Sequence, residues 1–336
     1  MPHEATWIAW PHETTDWPGK FAPIPWIYAD VVRHLARVER VRILVNDADG
    51  RERARRILKK SGANLAAVDF YVVPTNRGWT RDFGPIFVKK ILDAGGTALT
   101  NWRFNAWAKY DDWPKDDAAT GRLIPKLRLP SWEPVYKDRR IVLEGGSIDV
   151  NGLGTLLTTE ECLLSEVQAR NPGLSREDIE AVFREFLGVT NTLWLGNGIA
   201  GDDTHGHVDD LARFVNATTV VTVIENDRSD PNFAPLQDNF ARLRTMKDQD
   251  GRVLHVETLP MPEPVYFNGQ RLPASYANFY IANQLVLVPT FNDPNDRIAL
   301  NTLAGLFLDR QIVGIPCRDF VLGLGTLHCA TQQQPA

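Results

Sequence analysis

The chain has 336 residues, 43% hydrophobic and 24% charged, with a formal net charge of −5 and a pI near 5.8. That balance is ordinary for a globular enzyme and gives no footing to nucleic acid or an anionic membrane, whereas mild acidity suits a small cationic ligand. No apolar run nears the roughly 20 residues of a membrane span, and residues 1–10 lack the basic-then-apolar order of a signal peptide.

Residues 5–10 read as a first strand, closed by Pro11. Residues 25–38 have helical spacing, with Ile27, Val31, Val32, Leu35 and Val38 on one side. A buried strand at 41–45 precedes a basic helix over 47–60, whose charged face reads as a solvated surface. A strand at 68–73 leads into a loop at 75–79, and a strand resumes over 83–88, broken by Gly84-Pro85. The Trp-, Pro-, Asp- and Lys-rich stretch 106–135 has few clean periods and reads as a long excursion over the surface.

A strand at 141–143 ends in Glu144-Gly145-Gly146, and a hairpin follows, 148–150 and 154–158 around Asn151-Gly152. Ser175-Arg176-Glu177-Asp178 resembles a capping box, opening a helix with Ile179, Val182, Phe183 and Phe186 on its apolar face. Strands are expected at 211–215 and 218–224, a helix over 232–246, and strands at 253–259 and 279–289. A helix then starts at Asp293-Pro294, with proline at its first position, and a strand follows at 312–315. Short strands plus one helix recur every 60 residues or so, very roughly, which suggests a ring of α/β blades rather than a Rossmann sheet. No Gly-rich phosphate loop stands at a strand–helix junction, so nucleotide binding is not expected.

The most polar stretch is Gly201-Asp202-Asp203-Thr204-His205-Gly206-His207-Val208-Asp209-Asp210. Taken as strand at the mouth of a sheet, it points His205, His207 and Asp209 to one face. Three readings compete. His-x-His-x-Asp suits zinc ligation, as in a zinc-dependent hydrolase of the metallo-β-lactamase type built on His205, His207 and Asp209. Alternatively His207 is a general acid/base and Asp209 grips a cationic substrate. The plain alternative is a solvated acidic loop. The zinc run ordinarily continues Asp-His, whereas Asp209 is followed by Asp210, and only His255 and His328 remain downstream to complete a site.

Three cysteines, Cys162, Cys317 and Cys329, are an odd, sparse set that implies a reducing compartment, cytoplasm by default, rather than a disulfide framework. Cys329 follows a Gly-x-Gly turn and fits a Cys/His nucleophilic pair with His207; His328, next to it on an extended tail, is expected to point away. Trp79-Thr80-Arg81-Asp82 sets an aromatic and a carboxylate where a strand resumes, and Glu144 before two glycines is well placed for close ligand approach.

The chain resembles the agmatine deiminase family, which also contains bacterial-type peptidylarginine deiminases, among the guanidine-modifying enzymes. The resemblance runs from His3-Glu4-Ala5-Thr6-Trp7-Ile8-Ala9-Trp10-Pro11 through Trp79-Thr80-Arg81-Asp82-Phe83-Gly84-Pro85, Glu144-Gly145-Gly146-Ser147 and Leu156-Leu157-Thr158-Thr159-Glu160-Glu161-Cys162-Leu163-Leu164. It continues in Gly206-His207-Val208-Asp209, Phe291-Asn292-Asp293-Pro294-Asn295-Asp296 and His328-Cys329-Ala330-Thr331-Gln332-Gln333-Gln334-Pro335.

It implies an α/β fold, a five-bladed pseudo-symmetric propeller (the pentein fold), as one domain over residues 1–336 with the active site in its central channel. It implies no metal or organic cofactor, a small guanidino cation as partner, and leaves room for a homo-oligomer. By motif, Cys329 becomes the nucleophile, His207 the acid/base, and Asp82 and Asp209 the guanidinium-binding carboxylates. Glu144, Trp79 and Gly325 line the substrate site. The implied reaction is agmatine plus water to N-carbamoylputrescine and ammonia through a Cys thiouronium.

Departures bear on the substrate. The family commonly reads Asn-Asp-Ser-Trp where this chain has Asn76-Arg77-Gly78-Trp79; His205 stands where aspartate is frequent; Leu322-Gly323-Leu324-Gly325 replaces a glycine-richer run. If Arg77 and His205 line the far end of the channel, Arg77 favours a substrate carboxylate, as in free or C-terminal peptidyl arginine.

Overall fold

The computed structural model describes residues 1–89 and 96–336. Among these residues it is a mixed α/β fold in which five sheets share one plan: a strand antiparallel to a central strand, then a helix, then a strand parallel to the central one. The helix is demanded by geometry, because parallel neighbours need a crossover that a hairpin cannot supply.

The first unit joins the two ends of the chain. Thr331–Pro335 runs antiparallel to His3–Ala9, which passes through the helix Ile24–Leu35 to the parallel strand Arg40–Val45. A further helix, Ala48–Lys60, adds Val68–Val72 to the same sheet. The second unit is Ile86–Lys89, Thr97–Thr100, the helix Pro114–Leu127 and Ser131–Trp132. The third is Asp149–Val150, Thr155–Thr159, the helices Glu160–Leu164 and Arg176–Leu187, and Asn191–Leu195. The fourth is Ala212–Phe214, Thr219–Ile224, the helix Phe233–Leu243 and His255–Pro260. The fifth is Tyr280–Ile281, Leu285–Thr290, the helix Pro294–Leu306 and Gln311–Pro316.

The central strands are buried on both faces, which is why Thr219–Ile224 and Leu285–Thr290 read as continuous apolar runs rather than alternating ones. Helix ends follow local chemistry. Ser175 and Asp178 form the expected reciprocal capping box, and Gly188 closes that helix with a φ of 69°. Asp293 and Asp296 form a second box, with Pro294 at the first helical position. No helix of the described residues is long and apolar enough to cross a membrane.

Four expectations are corrected. The stretch 106–135 is no bare excursion: it contains the helix Pro114–Leu127, masked because its buried face is the mixed set Asp116, Ala119, Thr120 and Leu123. Residues 83–88 begin not as strand but as the last residue of a one-turn helix, Thr80–Phe83, and the strand starts at Ile86. Residues 141–143 make only a single bridge, Arg103 to Val142, instead of a sheet strand. The polar stretch 201–210 is a run of turns closing in a 3-10 turn, Val208–Asp210, with His205 at a φ of 63°, so the alternation assumed for a strand does not operate there.

The closure of the first sheet has a polar lock. The indole nitrogen of Trp7, fully buried, donates to Gln334 Oε1 at 2.9 Å, and Arg42 donates to the same oxygen. An unmet buried donor costs about 1–3 kcal/mol. Gln334→Ala is therefore expected to lower unfolding stability by about that amount; an unchanged urea midpoint at unchanged m-value would show that this lock contributes nothing.

Candidate active site

The turns that lead into the antiparallel strands converge on one cavity of about 370 Å³. Cys329, Asp82, Trp79, Trp107, Arg77 and Gly325 line it. Directly behind them lie His207, Asp209 and Glu144, each with no exposed surface.

Asp82 stands on the one-turn helix Thr80–Phe83, ended by Gly84-Pro85. Its Oδ2 accepts from Trp107 Nε1 at 2.9 Å and its Oδ1 from the Gly146 backbone at 3.1 Å. Glycine is required at 146: a Cβ there would lie 2.6 Å from His207 Nδ1 and 2.8 Å from Asp82 Oδ1. Glu144 is tied by an ion pair to Arg170, Nε to Oε1 at 3.0 Å, with both side chains fully buried. Arg170 also donates to the carbonyls of Gln168 and Thr204, so its charge is fixed in place.

The His207 loop is held by a side chain rather than a ladder. Asp202 Oδ2 accepts from the backbone nitrogens of Gly206 at 2.8 Å and His207 at 3.1 Å. The imidazole thus delivered faces three carboxylates: Nδ1 is 3.8 Å from Asp82 Oδ1 and 4.0 Å from Asp209 Oδ1, and Nε2 is 3.9 Å from Glu144 Oε2. Both ring nitrogens, Asp209 Oδ1 and Glu144 Oε2 have no hydrogen-bond partner among the described residues.

Cys329 lies in the turn before Thr331–Pro335, and Arg81 secures it, its backbone N–H donating to the Cys329 carbonyl at 3.0 Å. The sulfur is 3.7 Å from Asp209 Oδ2 and accepts from Asn278 Nδ2 at 3.1 Å. His328 was expected to face away from the Cys329 side. In a turn rather than an extended segment it does not: its Nδ1 is 2.6 Å from the same Asp209 Oδ2. Gly325 leaves the sulfur clear, since a Cβ would sit 3.2 Å from Sγ and 3.0 Å from Trp79. Trp79 is backed by Phe320, stacked at 6.0 Å, and by Trp17 at 5.5 Å.

The electrostatics follow from burial and unequal charge. Burial pushes Asp209 up to about 7, with Asp82 adding to the rise against His207. Burial likewise raises Asp82, opposed by His207. Glu144 goes the other way: burial would raise it, but Arg170 and His207 hold it down to about 2. Burial alone would neutralise His207; Asp82, then Cys162 and Glu144, outweigh it and hold the imidazole well above its usual range. Burial, Asp209, Asp210 and Asp82 all push the Cys329 thiol up.

His205 does not join this centre. Its Nε2 meets Ser165 Oγ at 3.1 Å, its Nδ1 is 3.8 Å from Glu161, and it is absent from the cavity wall. The zinc triad of His205, His207 and Asp209 is therefore not assembled. His255 is exposed on a strand and pairs with Glu257 at 2.7 Å. The buried sets among the described residues that are close enough to share a cation are Glu144, Cys162 and His207, and Asp209, Asp210 and Cys329; Arg170 against Glu144 opposes a cation at the first. Arg77 does line the cavity, yet it is bound to Asp16 and, at 3.1 Å, to Asp112, and stacks over Tyr110 at 4.6 Å.

Several participants escape a reading of the sequence. Trp107 sits in the stretch taken for a surface excursion, and only its contact with Asp82 gives it meaning. Arg170 and Asn278 stand in segments with no chemical cluster, and no spacing rule singles them out.

The sequence model of the Porphyromonas-type peptidyl-arginine deiminases matches residues 1–335. The agmatine deiminase of Stutzerimonas stutzeri is 37% identical over 100% of this chain and 94% of that protein. Among solved structures, the agmatine deiminase of Enterococcus faecalis has a TM-score of 0.90 and 34% identity, covering 99% of this chain and 93% of that one. A cysteine-to-serine variant of the C. jejuni agmatine deiminase, with substrate bound, has a TM-score of 0.86 and 31% identity, covering 100% of this chain and 94% of that one. Full-length sequence likeness and a shared fold lead to one conclusion: the chain belongs to the Porphyromonas-type peptidyl-arginine deiminase family.

Proposed function

We propose that this chain hydrolyses agmatine to N-carbamoylputrescine and ammonia, with Cys329 as nucleophile and His207 as acid and base. Its class is a hydrolase acting on carbon–nitrogen bonds of amidines and guanidines. The observation that carries the reading is a cavity ending on a thiol, beside buried carboxylates two of whose oxygens, Asp209 Oδ1 and Glu144 Oε2, are left without a partner among the described residues. A planar guanidinium supplies the missing charge and offers N–H groups to Asp82 and to the unpartnered Asp209 Oδ1. We also infer that the five repeated units close into a five-bladed pentein ring, one domain over residues 1–336, with this cavity on its axis; the shared strand order supports it.

In this mechanism the carboxylates fix the guanidinium in plane and draw its positive charge toward the carbon. The thiolate of Cys329 forms a bond to that carbon. Protonated His207 gives its proton to the departing nitrogen, which leaves as ammonia, and a thiouronium remains on the sulfur. Neutral His207 then takes a proton from water as the oxygen adds to the same carbon. Cleavage of the carbon–sulfur bond, with loss of the adduct's hydroxyl proton to solvent, releases the ureido product and restores the thiolate.

Agmatine is favoured over arginine by the state of Arg77. Both of its terminal nitrogens are taken by carboxylates, so it offers little to a substrate carboxylate, and the cavity wall keeps Asp16 and Asp203. Those acids are themselves paired, Asp16 with Arg77 and Asp203 with Lys109, so a substrate carboxylate would have to compete with them for the same cations. Agmatine is thus expected to exceed free arginine and C-terminal arginyl peptides in kcat/KM by about 100-fold or more; equal or better turnover of the carboxylate-bearing substrates would reverse the assignment. Cys329→Ser should lose about 10³-fold or more in ureido formation, and a variant retaining turnover removes the sulfur from the mechanism.

The pH dependence has a defined sign. Below about 7 Asp209 is protonated and cannot grip a cation, so kcat/KM rises with pH through that region. On the alkaline side it falls again, where His207, held well above the usual imidazole range, loses the proton that ammonia must take. A flat profile between about pH 5 and 9 contradicts the mechanism.

A further inference from the structure

Asn278 touches the sulfur of Cys329 and has no part in the chemistry above. It is 1% exposed, and its Nδ2 is 3.1 Å from Sγ. The other end of the amide fixes which atom faces the sulfur. Its Oδ1 lies 3.0 Å from the backbone nitrogen of His328, 3.4 Å from that of Cys329 and 2.8 Å from Thr326 Oγ1. Backbone N–H groups only donate, so that atom is the acceptor and the NH2 points to the sulfur. Its second N–H goes to Asp210 Oδ1 at 3.0 Å. The Asp210 carbonyl accepts from Ser275 Oγ at 2.7 Å, which ties the two segments together a second time.

The location repeats a pattern. Asp82, Glu144, Asp209 and Cys329 each stand just before the antiparallel strand of a different unit. Asn278 stands just before Tyr280–Ile281, the antiparallel strand of the fifth. Four units present an ionisable group to the centre, and the remaining one presents a neutral donor.

We propose that Asn278 is a catalytic residue: its side-chain N–H, aimed by Asp210, hydrogen-bonds the thiolate of Cys329 and so makes the sulfur available as a nucleophile. The inference rests on the reading of Cys329 as nucleophile. The need for such a donor is plain from what else faces the sulfur. Asp209, Asp210 and Asp82 disfavour a second negative charge, and burial acts in the same direction. Burial, with Arg213, Arg81 and His207, holds His328 neutral, and the Arg81 guanidinium is spent on the His328 carbonyl and Gln333. Protonated His207 supplies positive charge, but to three carboxylates at once. A lysine or arginine at 278 would steady the sulfur and also neutralise the acids that must receive the substrate. An amide donor stabilises the anion and leaves their charge intact.

The test measures the pH dependence of Cys329 alkylation by iodoacetamide in the substrate-free enzyme, where the thiolate displaces iodide, read at that residue by peptide mass. Asn278→Asp keeps the shape and the acceptor oxygen and removes the donor. The alkylation midpoint is expected to rise by about one pH unit or more, and agmatine kcat to fall about 10–100-fold. The double variant Asn278→Asp with Asp210→Asn re-forms the amide–carboxylate link with its direction reversed, but leaves an acceptor facing the sulfur. It should recover thermal stability without recovering the midpoint or kcat. An unmoved midpoint in either variant, or recovery of both midpoint and kcat in the double variant, overturns the proposal. Because alkylation needs no substrate, a wild-type chain inert toward agmatine would fail the reaction assignment while this profile still reports on Asn278.

Discussion

The organising constraint is a shortage of direct cationic partners for acids shielded from bulk solvent. Asp82, Asp209, Asp210 and Glu144 are all buried; Asp82, Asp209 and Glu144 surround His207, and Asp209 and Asp210 lie beside the thiol of Cys329. Arg170 answers Glu144 and keeps it ionised, while His207 stands between the rest. Isolated buried carboxylates either protonate or find a cation, and the elevated Asp209 shows the first of these responses. In the proposed reaction a planar cation entering the cavity provides the second, so that substrate binding and ionisation of the site become one event. The same logic bears on the thiol: burial and the neighbouring acids push Cys329 up, and a cation beside it would act in the opposite direction.

The fold serves this constraint by delivering each group from a different unit, at the same station before an antiparallel strand. Side chains gathered this way cannot slide together or apart, because each is fixed by its own sheet. Much of that was legible in the sequence. The apolar runs 41–45 and 218–224, the capping box at Ser175 and the Pro294 helix start carry their own signals, and the structure has strands and helices there within a few residues. Glu144 and Cys329 stood out beside glycines and the family resemblance named Asp82 and Asp209; a Cβ has no room at Gly146 and would be tight at Gly325.

What was not legible has a common cause. The polar run 201–210 was read with strand alternation, but Asp202 bonds the backbone four and five residues on and replaces the ladder, which separates His205 from His207. His328 and Cys329 were assigned opposite faces on the premise of an extended tail, and a turn instead sets both on Asp209. Trp107, Arg170 and Asn278 act through partners far away in sequence, and local patterns are silent about such contacts.

The position of Cys329 links the site to the way the chain ends meet. Cys329 leads directly into Thr331–Pro335, whose only sheet partner among the described residues is the first strand, His3–Ala9. Closing so long a loop costs little more than closing a short one, since the entropy grows only as the logarithm of its length. The contacts that hold it are few but buried: Trp7 and Arg42 on Gln334, and Arg81 on Gln333 and on the Cys329 carbonyl. Arg81 is the neighbour of Asp82, so the residue that anchors the closing strand and the residue that faces the cavity lie on the same one-turn helix. The sulfur is therefore brought to its carboxylates by the same bonds that join the first and last strands, and a weakened closure would be felt first as a displaced thiol.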